Sequence, residues 1–299
     1  MFGFEGRKRT VFATKRTDLS SLAETFFCSA GDPRYPRSLA DLARPPGQLW
    51  VTGRLPTAAE RSVAIVGSRG ATAVGYTQAQ EIAAAVGGAG WSVVSGGALG
   101  IDAAAHLGAL QAGAPTFAVL GCGVDVVYPD RHTELFSRVA QAGGLLSEYP
   151  MGTPPRSGQF PARNRLVAAL AEAVVVVDAR TRSGALITAQ RARELRRLLL
   201  AVPGSRGTDW LIGSGAAQPV AGASEVLDRL AGRAAVAAPV PYGLQPLLDA
   251  LREGPDSAAG LAQHIGQPLS EVMSALSEAE LAGLIQRLAG GRYEVPRAK

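Results

Sequence analysis

Short apolar runs alternate with longer helical patterns between residues 62 and 202. This alternation is typical of β-α-β units and predicts an α/β fold, a mostly parallel sheet with helices on both faces. The valine run at 174–177 indicates a central strand that is buried on both faces. The predicted strands are 63–66, 92–95, 116–120, 145–147, 174–178 and 198–202.

A second, smaller domain is predicted after residue 233. Residues 234–242 include Pro239 and Pro241 and have the composition of a linker. Three helical patterns and a hairpin with a glycine turn follow, and together they predict a small C-terminal winged helix-turn-helix domain over residues 243–299. These elements are helices at 244–251, 258–265 and 269–281 and strands at 284–288 and 292–295.

The last of these helices has an acidic surface. Residues 269–281 include Glu271, Ser274, Glu278 and Glu280 and no arginine or lysine. A helix that reads the major groove of DNA usually presents basic or amide side chains. The sequence therefore favours a winged helix that docks a protein, or a degenerate one, over one that reads duplex DNA.

Composition narrows the functional classes. The chain has 299 residues and a net charge of +5, which permits a polyanionic partner without establishing one. Cys28 and Cys122 are the only cysteines, so we expect neither a disulfide framework nor a cysteine metal site. No apolar run reaches the roughly 20 residues of a membrane span and no signal segment opens the chain, so we expect a cytoplasmic protein without a membrane span.

The segment at 160–165 combines an aromatic residue with two arginines at the predicted start of a helix. Pro161 suits the first helical position, which would place Arg163 and Arg165 in or near the first turn. The helix dipole disfavours cations there. A bound anion would reverse that conflict, and Phe160 offers a face on which a base can stack. The segment therefore predicts a site for a phosphate with a base attached.

Three further turns follow predicted strands and carry glycine, serine or arginine. Because the carboxyl ends of parallel strands meet at one edge of a sheet, we expect these turns to converge on a groove that binds phosphate. The turns are Gly67-Ser68-Arg69 after the first strand, Gly96-Gly97 after the second, and the segment 180–184 after the valine strand, which contains Arg182 and Ser183.

Candidate catalytic residues are few. Asp102 and His106 are four apart on one predicted helix, where support of the helix is a better explanation than a metal site that has no third ligand. Glu148 follows a predicted strand and is open to two roles, a general base or the ion-pair partner of a groove arginine. The chain lacks the G-x-x-x-x-G-K-[ST] loop of nucleoside triphosphate hydrolases. We expect no catalysis, no metal and no cofactor.

Five motifs, taken together and in order, resemble the DNA-processing protein A family, which is also called Smf. The resemblance runs from about residue 31 to residue 215, and its motifs are individually distinctive. Many members carry a helical SAM-like domain in front, for which the lead-in predicted at 1–40 is too short. The motifs are AIVGSR at 64–69, SGGALGID at 95–102, SEYP at 147–150, FPARNR at 160–165 and SGALITA at 183–189.

The resemblance implies an extended Rossmann-like domain, here at 41–233, that binds single-stranded DNA in a basic pocket without catalysis. It also implies a homodimer that protects incoming DNA and helps to load the RecA recombinase in natural transformation. We name apolar residues around 220–230 as a candidate dimer surface. The positions that match the family's binding motifs are Gly67, Ser68, Arg69, Gly96, Gly97, Phe160, Arg163, Asn164 and Arg165, to which the sheet argument adds Arg182 and Ser183.

Two other functions stay open at this point. One is a nucleotide phosphoribohydrolase of the lysine-decarboxylase-like group, which has a related sheet and glycine loops. The corresponding region here, 182–188, lacks the glutamate of that group's active-site motif. The other is a dinucleotide-binding regulator whose winged helix reads a promoter.

Overall fold

A computed structural model of the chain describes residues 23–181, 183–232, 244–254, 256–281, 285–288 and 290–295. These residues belong to two compact units, an α/β unit that ends near residue 233 and a smaller C-terminal unit. Arg182, which we predicted to bind DNA, lies outside the described residues, as do the predicted linker at 234–242 and the first 22 residues of the lead-in.

A nine-stranded sheet is the frame of the α/β unit. Its strands lie in the order β1-β2-β6-β5-β4-β3-β7-β8-β9. The first two pairs, β1 with β2 and β2 with β6, are antiparallel, and every other pair is parallel. The strands are β1 Thr25–Ser29, β2 Gln48–Gly53, β3 Ser62–Gly67, β4 Ser92–Ser95, β5 Thr116–Val119, β6 Gly144–Ser147, β7 Ala173–Asp178, β8 Leu198–Ala201 and β9 Gln218–Pro219.

The strand order reverses between β3 and β7. From β3 the chain adds β4, β5 and β6 on one side, and it then crosses back to place β7, β8 and β9 on the other. Ligands of open α/β sheets bind at such a switch point, in the crevice outside the carboxyl ends of the strands. All six residues of β7 are buried, which confirms the central strand that the valine run predicts.

Helices cover both faces of the sheet, as predicted. Because successive strand residues point to opposite faces, Ile65 packs in the core beneath α1, α2 and α7 whereas Val66 packs with α4 and α5. The third helix, α3, covers a separate cluster around Phe136 and Leu145. The helices are α1 Ala73–Gly88, α2 Ile101–Gln111, α3 Thr133–Ala142, α4 Gln159–Ala169, α5 Gly184–Glu194, α6 Arg206–Gly213 and α7 Ala223–Leu230.

The sheet begins earlier than the sequence pattern predicts. Strand β1 lies within the predicted lead-in at 1–40, yet it pairs along its whole length with β2, with Phe26 opposite Val51. The pattern missed it because β1 is a five-residue edge strand in which only Cys28 is fully buried. The α/β unit therefore extends in front of the predicted boundary at residue 41.

The residues named as a candidate dimer surface belong instead to the core. Val220, Val226 and Leu230 are at most 8% exposed and pack in the cluster beneath α1. A contact with a second chain would require these side chains to leave the sheet. The candidate dimer surface at 220–230 is therefore wrong.

The C-terminal unit has the predicted winged helix-turn-helix elements. Leu247, Leu261, Leu276 and Tyr293 are among the side chains of its apolar core. A two-residue strand, β10, joins the predicted hairpin and makes a three-stranded sheet. The elements are α8 Gln245–Glu253, β10 Asp256–Ser257, α9 Ala258–Ile265, α10 Leu269–Leu281, β11 Gln286–Arg287 and β12 Arg292–Glu294. Among the helices of both described units, none is long and apolar enough to cross a bilayer.

Candidate functional site

A cavity of about 710 Å³ lies at the switch point of the sheet. The turns that follow β3 and β7 form its sides, and residues from α4 and from the start of α5 complete it. Eight of the predicted binding residues line this cavity together, although they come from four separate parts of the sequence. These residues are Gly67, Ser68, Arg69, Gly96, Phe160, Arg163, Asn164 and Ser183.

Two exposed arginines line the cavity at the switch point. Arg69 follows β3 and Arg180 follows β7, and both line the cavity. Their guanidinium groups supply planar donors that suit phosphate oxygens. Arg180 was not chosen from the sequence, although it stands in the turn at 180–184. Its position two residues after the central strand β7 is the sequence signal that could have identified it as a binding residue.

The helix α4 begins two residues before Pro161 rather than at it. Gly158 caps the helix and Gln159 is its first residue, so Arg163 and Arg165 lie in the second turn and not the first. Each residue turns an α-helix by about 100°, so side chains two apart leave it on nearly opposite sides. The two arginines therefore cannot face the same pocket.

Arg163 lies beneath the cavity as a buried cation. Its side chain is 3% exposed, and Nη1 donates a hydrogen bond of 2.6 Å to the backbone oxygen of Gly96. A side chain at Gly96 would not fit, because its Cβ would lie 2.6 Å from both Nη2 of Arg163 and Oδ2 of Asp102. Glycine at position 96 thus lets the guanidinium and the carboxylate approach the turn.

Burial dominates the electrostatics of Arg163 and Asp102. It lowers the pKa of Arg163 to about 10, against the opposing effect of Asp102. It also raises the pKa of Asp102, although Arg163 and the backbone N–H of Ala98 favour the carboxylate. Since desolvation works against both charges, the two groups depend on each other inside the protein. This dependence is typical of a support for the turn at Gly96 rather than of a mobile phosphate ligand.

Arg165 does not join the cavity, which contradicts the position that we expected. Its Nη2 lies 2.6 Å from Oε2 of Glu148 in a pair that is largely buried. Neither residue is among those that line the cavity. Of the two roles left open for Glu148, the structure shows the pairing with an arginine, at a site outside the predicted groove.

Gly97 lines a separate small cavity of about 50 Å³ beside the main one. Its φ of +67° is in the region that favours glycine, and its carbonyl accepts a hydrogen bond of 3.0 Å from Nδ1 of His132. The two cavities adjoin, because Arg69, Gly96, Ala98 and Phe160 line both of them. Gly97 is therefore next to the predicted groove rather than in it.

Asp102 and His106 face the interior from α2. Nδ1 of His106 donates a hydrogen bond of 2.7 Å to Oγ1 of Thr116, and burial lowers the pKa of His106 to about 3. The imidazole is thus neutral at physiological pH. The described ranges of the chain hold no cluster of three or more histidine, cysteine or acidic side chains that could bind a metal ion.

Asn164 and Ser183 organise the start of α5. Nδ2 of Asn164 donates a hydrogen bond of 3.0 Å to the carbonyl of Gly184, the first residue of that helix. The hydroxyl of Ser183 caps the helix by accepting a hydrogen bond of 3.0 Å from the N–H of Ala185. The positive end of the α5 dipole therefore lies at the cavity wall, where it favours an anion.

Comparison with known proteins agrees with this geometry. Residues 26–231 match the family model described as DNA recombination-mediator protein A, and residues 226–291 match the model described as DprA winged helix domain. The chain belongs to the DNA recombination-mediator protein A family. The predicted family is thereby confirmed, and the boundaries of the first model agree with a sheet that begins at β1.

Relatives from distant bacteria share much of the sequence. Protein Smf of Escherichia coli is 35% identical over 294 residues, which cover 88% of this chain and 76% of that one. Protein Smf of Synechocystis is 43% identical over 183 residues, or 60% of this chain. That match spans 46% of the Synechocystis protein, less than half of its length.

Two solved structures share the fold. DNA processing protein A from Streptococcus pneumoniae superposes with a TM-score of 0.65 at 37% identity, covering 69% of this chain and 74% of that one. The protein of the same name from Helicobacter pylori gives a TM-score of 0.64 at 30% identity, covering 71% and 98%. The latter structure was described for its single-stranded DNA binding mode.

Proposed function

We propose that this chain binds single-stranded DNA in the switch-point cavity without catalysis, protects incoming DNA and loads the RecA recombinase during transformation and recombination. The observation that carries the proposal is the convergence of Arg69, Arg180 and the ring of Phe160 on one cavity beside the start of α5. Family membership and the DNA-binding mode described for the Helicobacter pylori relative support it.

The chemistry of this cavity suits a single strand. Arginines and a helix N-terminus bind phosphate whatever the base, and an aromatic ring stacks on any base. In a duplex the base faces are stacked on each other and cannot reach Phe160. We therefore expect binding that is independent of sequence and stronger for single strands than for duplex.

The residues around the cavity do not favour the nucleotide phosphoribohydrolase. Among the described residues that line it, Asp102 is the only carboxylate. It is 7% exposed and accepts a hydrogen bond of 3.2 Å from the N–H of Ala98. A carboxylate committed to the fold in this way is poorly placed to attack or protonate a glycosidic bond.

We propose that the protein acts as a homodimer and that RecA docks on the protein rather than on the DNA alone. Two pockets held in one dimer bind a longer strand through effective concentration.

For the C-terminal unit we propose a protein partner. On α10, Leu269 and Met273 are 51% and 45% exposed beside the exposed Glu271 and Glu280. An apolar and acidic surface of this kind suits a basic protein segment and repels DNA.

Binding of fluorescent single-stranded and duplex oligonucleotides across a salt series tests the proposal. The wild-type protein should prefer the single strand, and its affinity should fall steeply with salt. Arg69→Ala and Arg180→Ala should weaken binding, whereas Arg44→Ala, an exposed arginine outside the cavity, should not. Tighter binding to duplex, or release of free base from nucleoside monophosphates, would contradict it.

The recombinase step needs its own assay. ATP hydrolysis by RecA on a strand coated with single-strand binding protein should accelerate when the wild-type chain is added. Variants of α10 such as Met273→Lys should keep single-strand affinity, so a loss of acceleration there would place docking on the C-terminal unit. Unchanged RecA activity with the wild type would refute RecA loading and leave DNA binding intact.

A further inference from the structure

The ring of Phe160 is already occupied by protein groups. The guanidinium carbon of Arg69 lies over the ring, 5.2 Å from its centroid. The ring of Tyr128 is 5.5 Å away at a tilt of 39°. The backbone of Gly121 is so close that a Cβ there would lie 2.9 Å from Cδ1 of Phe160. A base that stacks on this ring must therefore replace one of its neighbours.

Arg69 is the neighbour that can move. Tyr128 belongs to the apolar cluster beneath α3, and Gly121 contributes backbone. Arg69 is exposed, and among the described residues no hydrogen bond or ion pair holds its side chain. Because it lines both the main and the small cavity, its guanidinium has open space beside the ring.

A phosphate offers Arg69 a better partner than the ring. Guanidinium forms charge-assisted, often bidentate hydrogen bonds with phosphate, which are stronger than a solvent-exposed cation–π contact. The same movement uncovers the ring face. One step can thus satisfy the phosphate and prepare the surface for the base.

We propose that Arg69 and a nucleobase exchange places on the Phe160 ring when DNA binds. The guanidinium leaves the ring for a phosphate, and the base of an adjacent nucleotide takes the vacated face. This inference rests on the proposed single-strand binding and adds a specificity to it. The cavity then selects ligands that carry a base next to a phosphate over bare polyanions such as polyphosphate.

The exchange predicts opposite effects of one substitution on two ligands. A DNA backbone without bases draws Arg69 off the Phe160 ring, and no base takes the vacated face. The lost cation–π contact then weakens binding of this ligand by about two- to fivefold, which corresponds to the energy of an exposed cation–π contact. A strand with bases recovers that loss and gains about five- to one-hundred-and-fifty-fold from stacking. Removal of the ring should therefore weaken one ligand and strengthen the other.

The test compares oligo-dT with an abasic oligonucleotide of equal length, measured by fluorescence anisotropy with the full chain. Phe160→Leu should weaken oligo-dT binding by at least about fivefold and tighten abasic binding by about two- to fivefold. Phe27→Leu is the matched control, since Phe27 is 62% exposed on β1, and it should change neither affinity. Circular dichroism and thermal melting establish that each variant is folded.

A second variant keeps the test decisive if Phe160→Leu does not fold. Arg69→Gln should weaken both ligands by the same factor, because both draw the guanidinium off the ring to a phosphate, so the preference for oligo-dT over the abasic strand should stay as it is in the wild type. If Arg69 instead stays on the ring in the complex, its removal uncovers the ring and that preference rises. An equal loss of both ligands in Phe160→Leu, or a raised ratio of oligo-dT to abasic affinity in Arg69→Gln, overturns the exchange while single-strand binding stands. A wild-type protein that binds neither ligand refutes the proposed function itself.

Discussion

Arg163 and Arg165 are two residues apart on α4, yet Arg163 donates a hydrogen bond to the Gly96 carbonyl beneath the cavity whereas Arg165 pairs with Glu148 outside it. The sequence predicts that these two neighbouring arginines share one site, but in the structure they have two separate roles. The opposite faces of an α-helix are the reason.

Replacement of Arg163 should affect stability before it affects binding. Arg163→Met removes the hydrogen bond to the Gly96 carbonyl and the cation that favours the buried carboxylate of Asp102, and we expect a loss of about 1 to 3 kcal/mol in the free energy of unfolding. Urea denaturation followed by tryptophan fluorescence measures it. A variant as stable as the wild type that no longer binds single-stranded DNA would instead make Arg163 a direct phosphate ligand.

The Arg165–Glu148 pair should be important for the stability of the fold and dispensable for DNA binding. Arg165→Gln should lower the free energy of unfolding by about 1 to 3 kcal/mol, because it leaves a largely buried charge unpaired. The affinity for single-stranded DNA should stay within about twofold of the wild type. Arg165 lies outside the cavity, so its replacement should remove no contact with a phosphate. The charge-reversed double variant Arg165→Glu with Glu148→Arg should recover part of the stability. A large loss of affinity in a folded Arg165→Gln would return this residue to the binding site.

The contribution of Arg180 can be read from the salt dependence. If its guanidinium contacts one phosphate, Arg180→Ala should reduce the slope of log K against log salt by about 0.7, the value for one phosphate of a single strand. Fluorescence titrations at four or more salt concentrations measure the slope. Arg44→Ala should leave it unchanged, and the same slope in Arg180→Ala would remove Arg180 from the phosphate path.

His106 should make the fold sensitive to acid. Its pKa is about 3 in the folded chain against an ordinary value of 6.5, so between these values the unfolded chain binds a proton that the folded chain does not. The stabilisation is complete above pH 6.5 and declines as the pH falls towards 3, by at most about 1.4 kcal/mol per pH unit. The pKa of His132 is lowered too, which acts in the same direction.

Denaturation at a series of pH values checks this prediction. Between pH 3 and pH 6.5, His106→Gln should reduce the slope of the free energy of unfolding against pH. The reduction should be at most about 1.4 kcal/mol per pH unit, the value for one proton. Gln141→Ala is the control: it replaces an exposed residue on α3 that does not titrate, and it should leave the slope as it is in the wild type. An identical slope in His106→Gln would assign the acid sensitivity to other groups.

The pattern of the sequence predicted the interior of the sheet better than its edges. Strands such as β3 and β7 are continuous apolar runs because both of their faces are covered, and that is a local signal. Strands β1, β2 and β9 were not predicted. They lie at or next to the edges, where pairing with a neighbouring strand rather than a run of apolar residues holds them: β1 pairs with β2, β2 also with β6, and β9 with β8.

The candidate site was predictable in its location and less so in its members. The turns after β3 and β7 share one sheet edge whatever the side chains do, so Arg69 and Ser183 could be placed from the strand order that the motifs imply. That Arg180 lines the cavity and Arg165 does not could not be foreseen. It depends on where α4 begins and on which of its faces packs against the sheet.

By itself, the sequence determined the α/β class, the winged helix, the family and the edge of the sheet at which the basic turns meet, because periodicity and ordered motifs are properties of neighbouring residues. Only the tertiary structure decided which arginine is exposed, which is buried and which is paired elsewhere. Burial and hydrogen bonding join residues as distant along the chain as Gly96 and Arg163, and no local pattern records that contact.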